Sequence, residues 1–329
     1  MHKKGGKVKQ FCISIALSVI FAVGGYAQNT HRLPLPAAKL KEELVYAISP
    51  DTVFNAGVLF HADKIAGKET AIIWVHGWSA NFYSPGYIMI GRALAERGFI
   101  SISVNTRMHD LANVQGYKHN RRIRGGGYWG IAADEVKDIA GWIDFAELKG
   151  FKHVILVGHS AGWAAVRRYQ SEKQDARVIG LVCASGQVSP DTRPIDSSQY
   201  IPASRYISGN KPDKLIEDPK RSFPSYISAA TYMDIVNTPP EQKDFFGWAN
   251  PGQAGITKVQ CPILVFYATN NDVGNETELK SLQAHIEQHF TNVRLTTAMI
   301  KNTDHMYMGA SEQVADTLVN WIEGILNRK

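Results

Sequence analysis

The pentapeptide Gly158-His159-Ser160-Ala161-Gly162 constrains the fold of this chain more than any other stretch. An apolar run, His153 to Val157, leads into it, and a helix-compatible stretch, Trp163 to Gln174, leads out. A strand that enters a Gly-X-Ser-X-Gly turn and leaves as a helix forces the serine into a strained backbone conformation, with its hydroxyl standing clear of the sheet. Glycine is needed at both ends because a side chain there would collide with the neighbouring strand or helix. The plainer alternative is an ordinary strand-to-helix turn with an idle serine.

The rest of the pattern agrees with a layered α/β domain. Leu44 to Ile48 and Val53 to His61 read as two strands of a hairpin joined through Ser-Pro-Asp. Ala71 to Val75 and Phe99 to Val104 read as strands, with a helix over Ile88 to Arg97 between them, stopped by Gly98. Ile131 to Leu148 is an amphipathic helix closed by Gly150. Beyond the pentapeptide, Val178 to Ala184, Pro262 to Ala268 and Val293 to Ile300 read as strands, and Glu276 to Phe290 and Ser311 to Asn327 as helices. Strands alternating with helices imply a parallel sheet covered on both faces, and the antiparallel start makes it mixed, with eight strands in all. Residues 186–256 break the rhythm with nine prolines and scattered aromatics. A structureless loop of that length would be abnormal, so the segment is expected to be an inserted lid.

The N-terminus is a separate matter. Lys3, Lys4, Lys7 and Lys9 form a basic head, Phe11 to Val23 is apolar apart from two serines, and Gly25-Tyr26-Ala27 offers small residues for a signal peptidase. This predicts a secretory signal over residues 1–27, a folded domain over 28–329, and a periplasmic or secreted protein with no stable membrane span after cleavage. An uncleaved anchor is the alternative. Losing four lysines and no acids takes the formal charge from +6 to +2, so the basic balance says little about nucleic acid, and no nucleic-acid partner is expected. Cys183 and Cys261 fall at opposite ends of parallel strands, which argues against a disulfide.

A serine hydroxyl is a poor nucleophile until a base takes its proton, and that base must be a histidine held by a carboxylate. On a sheet of this kind the order along the chain is serine, acid, histidine. Asp272 follows the strand ending at Ala268, and His305 follows the last strand, so all three candidates emerge at the carboxyl edge where open α/β sheets bind ligands. Glu276 is a weaker rival for the acid, and Asp304 adjoins His305 too closely to reach its imidazole well. For a developing oxyanion, the Ala161 amide is one donor. The Trp78 amide, in the turn His76-Gly77-Trp78 after the strand ending at Val75, is the second. His76 is expected to hold that turn. Trp78, Tyr83, Trp248, Met306 and Tyr307 are candidates to line a substrate pocket.

Taken together, His76-Gly77-Trp78, the Gly158–Gly162 turn, Asp272 and His305 resemble an α/β-hydrolase, and the resemblance covers Leu44 to Asn327. Feruloyl-type esterases and serine-dependent acyl-homoserine lactonases lie within its range. It implies a serine hydrolase of a small-molecule ester or lactone, working without a cofactor. The same machinery serves amidases, peptidases and thioesterases, and a non-catalytic binding protein on this fold is a further alternative. The stretch Gly125 to Gly130 fits G-x-G-x-x-G, but Asn120 to Arg124 before it is not a buried strand, so no dinucleotide site is expected and a loop into the following helix is. Lys118, Arg121, Arg122 and Arg124 form a basic cluster, read as a solvated loop or as an attractor for an anionic substrate group. No histidine spacing supports a metal site.

Overall fold

The structure is a computed structural model that describes residues 39–62, 69–118, 121–217 and 225–327. The expected signal segment, residues 1–27, lies outside them. The chain opens with the antiparallel hairpin β1 (Leu40–Ile48) and β2 (Phe54–Ala62), then runs through β3 (Thr70–Val75), α1 (Pro85–Glu96) and β4 (Ile100–Val104). Helix α1 begins three residues before the expected start because Pro85 supplies the fixed φ that a first helical turn accepts. A second hairpin, β5 (Asn113–Lys118) and β6 (Arg121–Gly125), precedes the short α2 (Gly126–Trp129) and α3 (Glu135–Leu148). Then come β7 (His153–His159), α4 (Gly162–Lys173) and β8 (Val178–Ala184). The segment up to the next sheet strand carries α5 (Ser197–Ser208), β9 (Leu215–Glu217), β10 (Tyr226–Ser228), α6 (Ala229–Val236) and α7 (Pro240–Lys243). The chain ends with β11 (Ile263–Ala268), α8 (Glu276–His289), β12 (Leu295–Ile300) and α9 (Ser311–Leu326).

The main sheet has eight strands in the order β1-β2-β4-β3-β7-β8-β11-β12. Only β1–β2 and β2–β4 pair antiparallel, so the sheet is mostly parallel, as the sequence pattern implies. Its central strands are apolar throughout because both faces are covered. On β3, Ile73 and Val75 join the core beneath α3 and α4, while Ile72 and Trp74 join the one beneath α1 and α9. Cys183 lies opposite Val265, four residues beyond Cys261, or about 13 Å along the strand at ~3.3 Å per residue. Both thiols are free.

Residues 113–118 and 121–125 pair as an antiparallel hairpin rather than a plain loop. Their polar sequence alternates too weakly to announce strands. The G-x-G-x-x-G stretch after it folds into α2, with Gly126 at φ +82, and not into the turn of a dinucleotide site. In the basic cluster, the Arg124 guanidinium lies 5.0 Å from the Trp129 ring. The side chains of Lys118, Arg121 and Arg122 lie outside the described residues.

The β7–α4 turn is as crowded as its glycines suggest. A Cβ on Gly158 would stand 2.5 Å from the Gly162 carbonyl oxygen, and one on Gly162 would stand 2.5 Å from the His76 carbonyl oxygen. The first turn of α4 is thus wedged between β7 and the end of β3. Gly162→Ala is expected to cost about 1–3 kcal/mol, as overpacking does. Differential scanning calorimetry should register this as a fall of several degrees in Tm, and an unchanged Tm would mean that the turn has room to spare.

Candidate active site

Ser160 sits at the tip of the β7–α4 turn with φ +53, in the left-handed region. Its N–H donates to the Ala184 carbonyl (2.9 Å) and its own carbonyl accepts from Trp163 (3.1 Å), so the strained residue is pinned from both sides. Three more non-glycine residues around it share that region: Ser79, Ser185 and Tyr307.

Asp272 and His305 arrive from the ends of β11 and β12. The Asp272 side chain is fully buried, and its Oδ1 accepts from His305 Nδ1 (2.8 Å) and from the Val273 amide (2.7 Å). Oδ2 accepts from the Ser185 hydroxyl and the Ala268 amide, both at 2.5 Å. Burial works to raise the Asp272 pKa, but the bonds from His305, Ser185 and the two amides overcome it and hold the carboxyl below its ordinary value. A histidine that donates from Nδ1 to a carboxylate presents Nε2 as its acceptor. The His305 side chain is 29 % exposed. Neither rival acid makes this contact: Glu276 pairs with Lys280 (2.8 Å), and Asp304 accepts the Met306 amide (3.0 Å).

The residue between Gly158 and Ser160 carries a link that the sequence reading missed. His159 is buried, and its Nε2–H donates to the His305 carbonyl (2.8 Å), with the two rings 4.7 Å apart. Its Nδ1 accepts from the Tyr87 hydroxyl (2.7 Å), whose oxygen accepts from the Gly77 amide (3.3 Å). One chain of hydrogen bonds thus ties the turn after β3, the turn after β7 and the loop after β12. Burial, reinforced by the nearby His305, lowers the His159 pKa to about 3, so it stays neutral and keeps one donor and one acceptor. Among the described residues, no hydrogen bond joins the Ser160 hydroxyl to His305. Such contacts commonly tighten only in the substrate complex.

The turn after β3 is equally fixed. The Gly77 carbonyl accepts from His76 Nδ1 (2.7 Å) and from the Ala80 amide (3.1 Å). Because the carbonyl of residue 77 and the N–H of residue 78 share one trans peptide plane, the Trp78 N–H points the opposite way. Gly77 also lies against the serine, since a Cβ there would stand 3.0 Å from Ser160 Cβ. His76 holds this turn: its Nε2 accepts from the Thr106 amide (3.1 Å), and burial lowers its pKa to about 4. The Ala161 N–H, at the entry of α4, has no i−4 helical acceptor.

Ser160 opens onto a cavity of about 500 Å³ whose walls include Trp78, Ala161, Glu135 and Ser185. Helix α4 forms one side with Ala164 and Arg167, and the segment between β8 and β11 forms another with Gln187, Asp234 and Gln242. Of the five residues expected to line a pocket, only Trp78 does so here. Tyr83 is 54 % exposed and bonds Asp110. Trp248 stacks on His285 and donates to the Val188 carbonyl. Met306 packs against the core beneath α1 and α9, and Tyr307 is buried with its hydroxyl on Ser185. Among the described residues, no group of His, Cys, Asp or Glu side chains is placed to hold a metal ion.

Residues 72–317 match the sequence profile of the alpha/beta hydrolase family. No curated protein matches the chain significantly. Solved structures share its fold at low identity. Est1E from Butyrivibrio proteoclasticus superposes with a TM-score of 0.57 at 13% identity, covering 86% of this chain and 99% of that one. The Pyrococcus furiosus esterase Pf2001 gives 0.56 at 12%, covering 90% and 96%. DcsB, in complex with its substrate analogue, gives 0.60 at 15%, covering 86% and 99%.

Glu135, on the cavity wall, accepts from the Thr106 hydroxyl (2.6 Å), yet burial, seconded by Asp138, pushes its pKa up to about 8. The folded protein therefore keeps a proton on Glu135 between its ordinary value of 4.5 and about 8, where the unfolded chain has lost it. The stability this proton contributes is full below 4.5 and lost as pH rises through 8. Glu135→Gln should gain in Tm relative to wild type as pH is raised from 5 to 9. A gap that does not change with pH would show that Glu135 ionises normally in the fold.

Proposed function

The chain belongs to the alpha/beta hydrolase family; on that premise we propose that it hydrolyses carboxylic esters, open-chain or cyclic, through an acyl-enzyme intermediate. The observation that carries this reading is the meeting of a left-handed serine with a buried-carboxylate–histidine pair at one edge of the sheet. In the proposed reaction Ser160 Oγ attacks the carbonyl carbon and its proton passes to His305 Nε2. Asp272 keeps the imidazole in the tautomer that can accept, and stabilises the cation that forms. The Ala161 and Trp78 amides donate to the oxyanion as the carbonyl becomes tetrahedral. The C–O bond then breaks, and His305 gives its proton to the departing alcohol oxygen. Water attacks the acyl-enzyme with His305 again as base, releasing the acid and restoring the serine hydroxyl.

The arrangement around these groups supports the assignment. His159 and Tyr87 tie the His305 backbone to the serine turn and to Gly77, so nucleophile, base and donors are positioned by one buried network. The esterases among the structures that share the fold agree with the choice of ester over amide.

Purified protein should turn over p-nitrophenyl butyrate, and Ser160→Ala should lower kcat by ~10⁴-fold or more while Tm stays within a few degrees. Asp272→Asn should lower kcat by a similar ~10⁴-fold, because the amide favours the wrong tautomer of His305. Wild-type turnover in the Ser160→Ala protein would remove the nucleophile from the account.

A further inference from the structure

Helix α4 carries Ser160 at its entry and presents Arg167, two turns further on, to the same cavity. The guanidinium is held but not neutralised. Its Nη2 donates to the Gln242 carbonyl (2.6 Å), its carbon lies 5.2 Å from the Phe245 ring centre, and its Nε is buried with no acceptor. Among the described residues, no carboxylate lies within ion-pairing distance of it.

The other charged groups on these walls are already engaged. Arg168 pairs with Glu172 (2.7 Å), and Asp191 with Arg193 (2.7 Å). Asp234 accepts the Ala133 amide (3.1 Å), and Glu135 is bonded to Thr106. Lys243, like Arg167, is held by a carbonyl, that of Val236 (2.8 Å). Burial lowers the Arg167 pKa only to about 10, so the group stays cationic at neutral pH. A largely buried cation whose charge is offset only by Asp191, beyond ion-pairing distance, is costly to keep, and an anion entering the cavity would offset that cost.

We propose that the cavity takes esters whose arm along α4 ends in a carboxylate, and that Arg167 binds that carboxylate. This rests on the ester-hydrolase reading above and names its substrate class. One guanidinium fork matches the two oxygens of a carboxylate. A phosphate dianion, with twice the charge, would be repelled more strongly by Asp191 and Asp234 on the same walls. Arg167 lies five residues beyond Gly162, the first residue of α4, about 8 Å along the helix axis, and a helical side chain leans back toward the N-terminus. The carboxylate therefore lies a short aliphatic spacer from the scissile carbonyl.

The test compares charged and neutral substrates of equal length. On the acyl side these are p-nitrophenyl hydrogen glutarate and adipate against their methyl-capped diesters. On the alcohol side they are the acetate esters of 4-hydroxybutyrate and of its methyl ester. Wild type should favour the charged member of at least one pair by tenfold or more in kcat/KM, chiefly through KM. Arg167→Met should collapse that ratio at least tenfold, and Arg167→Lys should restore part of it. Calorimetry with glutarate, against neutral glutaramide, gives a readout independent of turnover: glutarate should bind wild type and not the Arg167→Met protein. Loss of all ester turnover with glutarate binding still dependent on Arg167 would sink the hydrolase reading and uphold the anion site. No charged preference in any pair, or glutarate binding that survives Arg167→Met, would overturn the proposal.

Discussion

The close approach of α4 to the ends of β3 and β7 is the constraint on which this architecture depends. The helix starts so near the sheet that two positions admit no side chain, because the His76 and Gly162 carbonyl oxygens fill the space where Cβ atoms would stand. The residue between those contacts has no relaxed backbone conformation available, and Ser160 takes φ +53. In that left-handed conformation Ser160 lines the cavity. The same wedge brings Gly77 against Ser160, so the turn after β3 and the turn after β7 are fixed relative to each other by contact.

Around the wedge the buried polar groups are matched. Asp272 accepts four hydrogen bonds and stays ionised despite full burial. His159 and His76 stay neutral, and each divides its two ring nitrogens between one donated and one accepted bond. Such a network is worth more intact than its pairs suggest, since any orphaned member would be left in a low-dielectric interior. The cavity wall is different in kind. There burial lowers the pKa of Arg167 and raises that of Glu135, and both residues line the cavity beside Ser160.

The placement of Ser160, Asp272 and His305 at one edge of the sheet was readable in the sequence because each follows a strand, and strand ends of a parallel sheet meet at one edge whatever the helices do. The central strands were readable because burial on both faces leaves continuous apolar runs such as Ala71 to Val75. The pocket was not. Tyr83, Trp248, Met306 and Tyr307 adjoin the site or its elements in sequence or are large and aromatic, but adjacency along the chain says nothing about which way a loop turns. Tyr307, with φ +56, points into the core. The residues that do form the wall, Glu135 and Arg167, lie on helix faces whose orientation is set by tertiary packing. His159 left no trace, because nothing local reveals a side chain bonded to a carbonyl 146 residues away.

The most direct measurement of the central claim is covalent. A fluorophosphonate incubated with the folded protein should modify one residue, and peptide mass spectrometry should place the adduct on Ser160. The rate should fall steeply when His305 is replaced by alanine. An adduct on another residue, or a labelling rate indifferent to His305, would contradict the account.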